Sequence, residues 1–314
     1  MKDRKAALRF GSWSAVRLAD LALLVRAPAA LSVPGDVIAG AAAAGRPPGA
    51  RTLGIIGSSV CLYWAGMALN DYADATVDAV ERPERPVPSG RVPRRTALAV
   101  AGGLTAAGLG LAAVAGGRRS LLGAFPLAGL VWAYDLKLKS TPAGAVAMAG
   151  ARTLDVLAGA LIPGPGTVST AEALRRSAVP AALVGIHTGT LMALSRHEIS
   201  GAPPSVPAST LAVSAATALA TVLPPKARST NTKSYAGPAA AGALAYLATY
   251  GTAQARAVQE PSGENVRRAV GAGILGLMPL QAALTARGGA PAVAAALGVV
   301  HPLARRLARR ISPT

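Results

Sequence analysis

Long apolar runs separated by short polar or basic connections recur along the chain, centred on residues 20–44, 52–72, 96–115, 120–135, 142–162, 177–195, 206–224, 235–255, 266–285 and 290–304. A helix needs about 20 mostly apolar residues to cross the hydrocarbon core of a bilayer, so the pattern predicts about nine or ten transmembrane helices. No alternating strand pattern, heptad run or short-period repeat competes with it. Gly and Pro inside several runs soften the span boundaries, and membrane helices tolerate both where neighbours satisfy the backbone. The expected fold class is all-α: one polytopic transmembrane helical bundle over residues 1–314, with a basic N-terminal segment at 1–17 and a basic, amphipathic tail at 305–314.

Composition agrees, since 52% hydrophobic residues, 15% charged residues and a mean hydropathy of +0.41 are too apolar for an ordinary soluble domain. Small residues dominate the apolar content and let helix backbones approach closely in lipid. The net charge of +18 does not point to nucleic acid, because Lys and Arg fall in short clusters between apolar runs with no aromatic-rich basic surface. They read as topology determinants. Lys2, Arg4, Lys5 and Arg9, the cluster from Arg82 to Arg95, Lys137 and Lys139, and Arg267 and Arg268 share one side, which is expected to face the cytoplasm from the cell membrane. The opposite connections hold Arg46 and Arg51, Arg118 and Arg119, Arg175 and Arg176, and Lys226, Arg228 and Lys233, so the bias is modest. Trp13, Tyr63, Trp64, Trp132 and Tyr134 fall near span ends as interfacial anchors. Cys61, the single cysteine, cannot found an intramolecular disulfide framework, and no cleaved signal peptide is expected after MKDRKAALRF.

The polar stretch ALNDYADATVDAVERPERPVPSGR ends the second run. Asn70, Asp74 and Asp78 are spaced four and four, which keeps them along one helix face with a drift of about 40° per step, and Asp71 extends the stripe. Acids at a membrane helix end are costly unless they meet water, a cation or a basic partner. They suit Mg²⁺, which bridges one or two carboxylates to substrate phosphates; alternatively they pair with Arg82, Arg85 or Arg91 at a solvated helix end. Deeper in the fifth run, Arg152 and Asp155 would each cost several kcal/mol unpaired. Their spacing of three lets them touch, so they are expected to pair with each other or with a partner across a cavity. His187 reads as a packed, hydrogen-bonded histidine within the sixth run, and His301 carries little signal.

NDYADATVDAVERPERPVPSGRV resembles the first Asp-rich motif, NxxxDxxxD, of the UbiA superfamily of intramembrane prenyltransferases, including the R-P-x-x-x-G segment that follows it. The resemblance implies a UbiA-like bundle in which Asn70, Asp74 and Asp78 hold Mg²⁺ on a prenyl diphosphate. VRAPAALSVPGDVIAG is similar to the family's opening helix and places Arg26 at the diphosphate. YDLKLKSTPAG is similar to the Y-S-x-x-L-K segment, matching Tyr134 and Lys139 while Asp135 replaces Ser. Asp74, Asp78, Lys139 and Arg26 are then the expected catalytic residues, with Arg26, Arg82, Lys139 and Arg196 on the diphosphate and Tyr134, Arg152, Asp155 and His187 around the acceptor.

The family's second Asp-rich motif is altered. In LMALSRHEISGA the two expected Asp positions fall on Ala193 and His197, leaving Glu198 as the nearby carboxylate and a fourth expected metal ligand. The SRxE-type replacement is similar to that of an EboC-like branch. Glu198 and Ser195 could hold a weakened second metal site, Arg196 or His197 could supply the charge instead, or catalysis could be lost; retained activity is the expectation. The function implied is Mg²⁺-dependent transfer of a prenyl group to an aromatic or other small or lipid acceptor. The competing readings are a UbiA-like shell that binds or transports a hydrophobic small molecule, and a general secondary transporter.

Overall fold

The computed structural model describes residues 16–164, 168–223 and 233–299. The tail at 305–314, His301, Trp13 and nearly all of the basic segment at 1–17 lie outside the described residues. Within them every regular element is helical: α1 (Leu18–Leu24), α2 (Val33–Ala43), α3 (Ala50–Ala73), α4 (Ala75–Glu81), α5 (Arg94–Ala133), α6 (Ala143–Ala160), α7 (Thr170–Ser195), α8 (Ser205–Val222), α9 (Lys233–Tyr246), α10 (Thr252–Gln259) and α11 (Gly263–Arg287). A 3-10 turn over Ala27–Ser32 joins α1 to α2, and π-turns at Tyr134–Leu138 and Leu247–Gly251 follow α5 and α9.

Each predicted span from 52–72 to 266–285 has a helical counterpart. Ala50–Ala73, Arg94–Leu138, Thr170–Ser195, Ser205–Val222 and Gly263–Arg287 are long and apolar enough to cross a membrane. Leu53, Val114, Leu122 and Leu219 are 69%, 89%, 64% and 61% exposed on these helices, an outward apolar surface that suits lipid rather than water. Of the last predicted span, 290–304, residues 291–299 are helical and the remainder lies outside the described residues.

The longest helix is two passes. Gly117, at φ 60° and ψ −149°, occupies backbone space open essentially to glycine and interrupts α5. The arms fold together, with Trp132 donating its indole N–H to Thr105 at 3.0 Å, and α3 packs on both. A Cβ on Gly54 would meet Ala115 at 2.7 Å, and one on Gly66 would meet Val131 at 3.0 Å.

The first predicted span, 20–44, is not one helix, because left-handed Arg26 (φ 47°) and the proline of the following 3-10 turn break it. What remains, α2, has 11 residues but touches α3, α6, α7 and α11, so it stands at the centre of the bundle. Its crossing with α6 is close enough to require glycine on both sides. A Cβ on Gly40 would lie 1.8 Å from the Val156 carbonyl oxygen, and one on Gly159 would lie 2.0 Å from that of Val37. Behind α2, the largely buried α11 packs Leu277, Leu280 and Leu284 against Tyr246 and Tyr250.

Candidate active site

At one end of the bundle, α3 stops at Ala73 and α4 begins at Ala75, with Asp74 as the joint (φ −90°, ψ 6°). This joint splits the expected acidic stripe in two. Asp71 and Asp78, 1% and 2% exposed, share Arg85, whose Nη1 lies 2.6 Å from Asp78 Oδ2 and 3.6 Å from Asp71 Oδ1. Arg26 pairs with Asp71 at 3.2 Å, and Arg82 with Asp78 at 3.8 Å. Asn70 and Asp74 have other partners. Asn70 Nδ2–H donates to Asp135 Oδ1 at 3.1 Å, and Lys139 Nζ stands 2.6 Å from Asp74 Oδ1, a charge contact rather than an aligned hydrogen bond. Asn70, Asp74 and Asp78 therefore do not form the single set that their spacing predicts; Asp135 stands beside Asn70, while Asp78 is tied down by two arginines.

Local backbone explains these placements. A non-glycine residue in left-handed geometry is strained, and at Arg26 that geometry carries the guanidinium to Asp71 on α3. The π-turn at Tyr134–Leu138 adds a residue to the helical count, which brings Tyr134 and Asp135 to the cavity wall and leaves Lys139 facing Asp74.

A cavity of about 240 Å³ opens beneath this polar end. Arg26, Asn70, Tyr134 and Asp135 line its cap, Val33, Leu62, Met67, Leu127, Val131 and Met148 line its walls, and Ser59, Arg152 and Asp155 complete it. Arg152 pairs with Asp36: Nε lies 2.8 Å from Asp36 Oδ2 without being aimed along the contact, and Nη2–H donates to the Ser32 carbonyl at 3.3 Å. Gln281 on α11 donates to Asp36 Oδ1 and to the Ser32 carbonyl, both at 2.7 Å. The glycine crossing of α2 and α6 brings Asp36 to Arg152, so the ion pair spans two helices instead of joining Arg152 to Asp155. Asp155 is 4% exposed beside Ser59, and its Oδ1 has no hydrogen-bond partner among the described residues.

His187 is not among the residues lining the cavity. It is fully buried between Tyr246 and Tyr250, with Nδ1 3.0 Å from the Tyr246 hydroxyl. Past the end of α7, Arg196 is exposed and Glu198 partly buried. Burial raises the Glu198 carboxyl above its ordinary range against the opposing pull of Arg267 and Arg82. Arg82, which meets Asp78, is also within electrostatic reach of Glu198.

Among the described residues no three His, Cys, Asp or Glu side chains form a cluster that could hold a metal. The neighbouring oxygens of Asn70, Asp74 and Asp135 are hard donors and fit a Mg²⁺ ion that takes one or two carboxylates and completes its shell with water and phosphate oxygens. They do not fit an all-protein cage.

Residues that reasoning from sequence passed over include Asp36, Ser59 and Gln281, whereas Arg85 meets Asp78 as the alternative reading of the acidic stretch expects. An Asp within the apolar VPGDVIAG and a Gln within MPLQAAL are the signals that could have found two of them.

Comparison with protein families matches residues 32–311 to the UbiA prenyltransferase family. Over 183 residues the chain is 35% identical to a digeranylgeranylglyceryl phosphate synthase of Ignicoccus hospitalis, covering 57% of this chain and 56% of that protein. Over 110 residues it is 44% identical to a protein of the same name from Methanopyrus kandleri, covering 35% and 38% respectively. These matched segments span 38% and 56% of the two relatives' lengths. An apo structure of a UbiA homologue from Aeropyrum pernix K1 superposes with a TM-score of 0.63 at 18% identity, over 87% of this chain and 97% of that one, a likeness of fold.

Proposed function

Because the chain belongs to the UbiA prenyltransferase family, we propose that it transfers a prenyl group, within the membrane, from a prenyl diphosphate to the hydroxyl of a glycerophosphate lipid. The observation that carries this reading is the cationic cap of an apolar cavity. Arg26 and Lys139 stand there against Asp71 and Asp74, ready to exchange carboxylate for phosphate oxygens. The relatives' name, digeranylgeranylglyceryl phosphate synthase, supports a glycerophosphate acceptor over an aromatic one.

In this mechanism the allylic C–O bond breaks and its electron pair leaves with the diphosphate, whose growing charge Arg26 and Lys139 neutralise. Arg85 and Asp78 hold the Arg26–Asp71 pair in place through their shared contacts. The apolar walls keep water from the allylic cation. The acceptor oxygen attacks the cationic carbon, and its proton passes to Asp155 Oδ1, which has no hydrogen-bond partner among the described residues. Asn70, Asp74 and Asp135 would hold Mg²⁺, which would supply Lewis-acid neutralisation of phosphate charge. The active-site end is taken as cytoplasmic because the cluster from Arg82 to Arg95 lies there.

The test uses purified protein in nanodiscs with Mg²⁺, labelled geranylgeranyl diphosphate, and either geranylgeranylglyceryl phosphate or pooled phenolic acids as acceptor. Lipid product and stoichiometric diphosphate release are expected with the glycerophosphate, and Lys139→Met or Asp74→Asn is expected to lower kcat by roughly 10²–10³. Product with phenolic acids alone would overturn the acceptor, and binding without diphosphate release would overturn the enzyme.

A further inference from the structure

The arginine pairs that weaken the charge bias of the sequence come from three separate connections, and the fold gathers them at the end of the bundle away from the candidate active site. Arg46 follows α2, Arg51 opens α3, Arg119 lies just past the Gly117 turn, and Arg175 and Arg176 sit in the first turns of α7. From residue 50 to residue 70, α3 rises about 30 Å, the thickness of the hydrocarbon layer, so this cluster and the Asn70 region belong to opposite membrane faces.

Arg46 is only 5% exposed. Its Nη2–H reaches the Val168 carbonyl at a long 3.5 Å, while its Nε has no acceptor among the described residues. Arg119 Nε and Nη2 and the hydroxyl of Ser120, itself 1% exposed, are buried without acceptors in the same sense. Two glycines make the space: a Cβ on Gly164 would meet Arg46 Nη1 at 2.7 Å, and one on Gly116 would meet Ser120 Oγ at 1.9 Å. The nearby carboxylate, Glu172, is already shared by Arg175 and Arg176. Burial, then the charges of Arg119 and Arg176, lower the pKa of Arg46. Like charges crowd here with donors to spare, an arrangement that an anion would neutralise.

We propose that Arg46, Arg119 and Ser120 form a second anion site, on the face opposite the active site, that binds a phosphate group at the membrane surface. Arg guanidinium forks match phosphate oxygens, and a buried donor without an acceptor gains most from one. The phosphate is either the headgroup of an anionic phospholipid or a free ion, and the experiment separates them.

Full-length protein carrying Lys139→Met, which weakens the active-site phosphate ligands, is titrated with inorganic phosphate while thermal unfolding is followed in a zwitterionic detergent. The same protein, in vesicles of phosphatidylglycerol and phosphatidylcholine, is examined by native mass spectrometry for retained lipid. Stabilisation by phosphate identifies a free ion, retention of phosphatidylglycerol over phosphatidylcholine identifies a headgroup, and either supports the site provided that Arg119→Gln weakens it at least tenfold. Arg46→Gln is expected to weaken binding as Arg119→Gln does, and Arg46→Lys, which keeps charge and loses the fork, is expected to bind between the parent protein and Arg46→Gln and covers the case in which Arg46→Gln does not fold. Arg119→Gln on the wild-type background is expected to leave prenyl transfer unchanged. Binding that is the same with and without Arg119→Gln, or absent for both probes, overturns the proposal.

Discussion

Asp36→Ala removes the counter-charge of Arg152 at the centre of the bundle. The pair lies 2.8 Å apart with Asp36 fully buried, and at an effective dielectric constant near 20 its attraction is about 6 kcal/mol. The desolvation of two ions offsets much of that, so the intact pair is worth little over a well-packed apolar replacement. Removing one partner alone strands the other and costs about 3–5 kcal/mol. The double variant Asp36→Leu/Arg152→Met is then expected to recover most of the loss. Asp155→Asn serves as the contrast, because Arg152 keeps its partner and shape is conserved; it is expected to cost less than about 1 kcal/mol while abolishing proton acceptance in transfer. The assay is reversible unfolding in mixed detergent micelles, with all variants in the same mixture. The reasoning is refuted if Asp155→Asn is as damaging as Asp36→Ala, which would restore the pairing suggested by spacing alone, or if the double variant is no more stable than the single one.

Gly159→Ala pushes a methyl group to within 2.0 Å of the Val37 carbonyl and is expected to cost about 3 kcal/mol by forcing α2 and α6 apart. Gly129→Ala, where a Cβ meets nothing within 4 Å, is expected to gain up to about 1 kcal/mol of helix propensity in the same unfolding assay. Because burial raises the Glu198 carboxyl above its ordinary 4.5, the folded protein keeps a proton that the unfolded chain has released between 4.5 and the raised value. Stability therefore falls as pH rises through that window, and Glu198→Gln is expected to flatten the slope in unfolding midpoints taken across it.

The spans were legible because a bilayer imposes one length and one polarity on every crossing, as α3, α7 and α11 show. The polar cap of the cavity was legible in part: Arg26, Asn70, Asp74, Tyr134 and Lys139 lie together at one end of the bundle. What spacing could not reveal was direction. A regular helix would put Asp78 one face-step from Asp74, but the joint at Asp74 sends it to Arg85 instead. Nor could spacing show that Asp36 outcompetes Asp155 for Arg152, since that choice depends on how closely two backbones cross at Gly40 and Gly159.

The π-turn at Tyr134–Leu138 makes the cap depend on counting. Each residue added to or removed from an α-helix rotates everything beyond it by about 100°. Deleting one residue between 134 and 138 would turn Lys139 away from Asp74 although every side chain named in the cap could still be present. A single codon lost at this point would part Lys139 from the other groups of the cap with every named side chain still present, so chain length there matters as much as the identity of the residues.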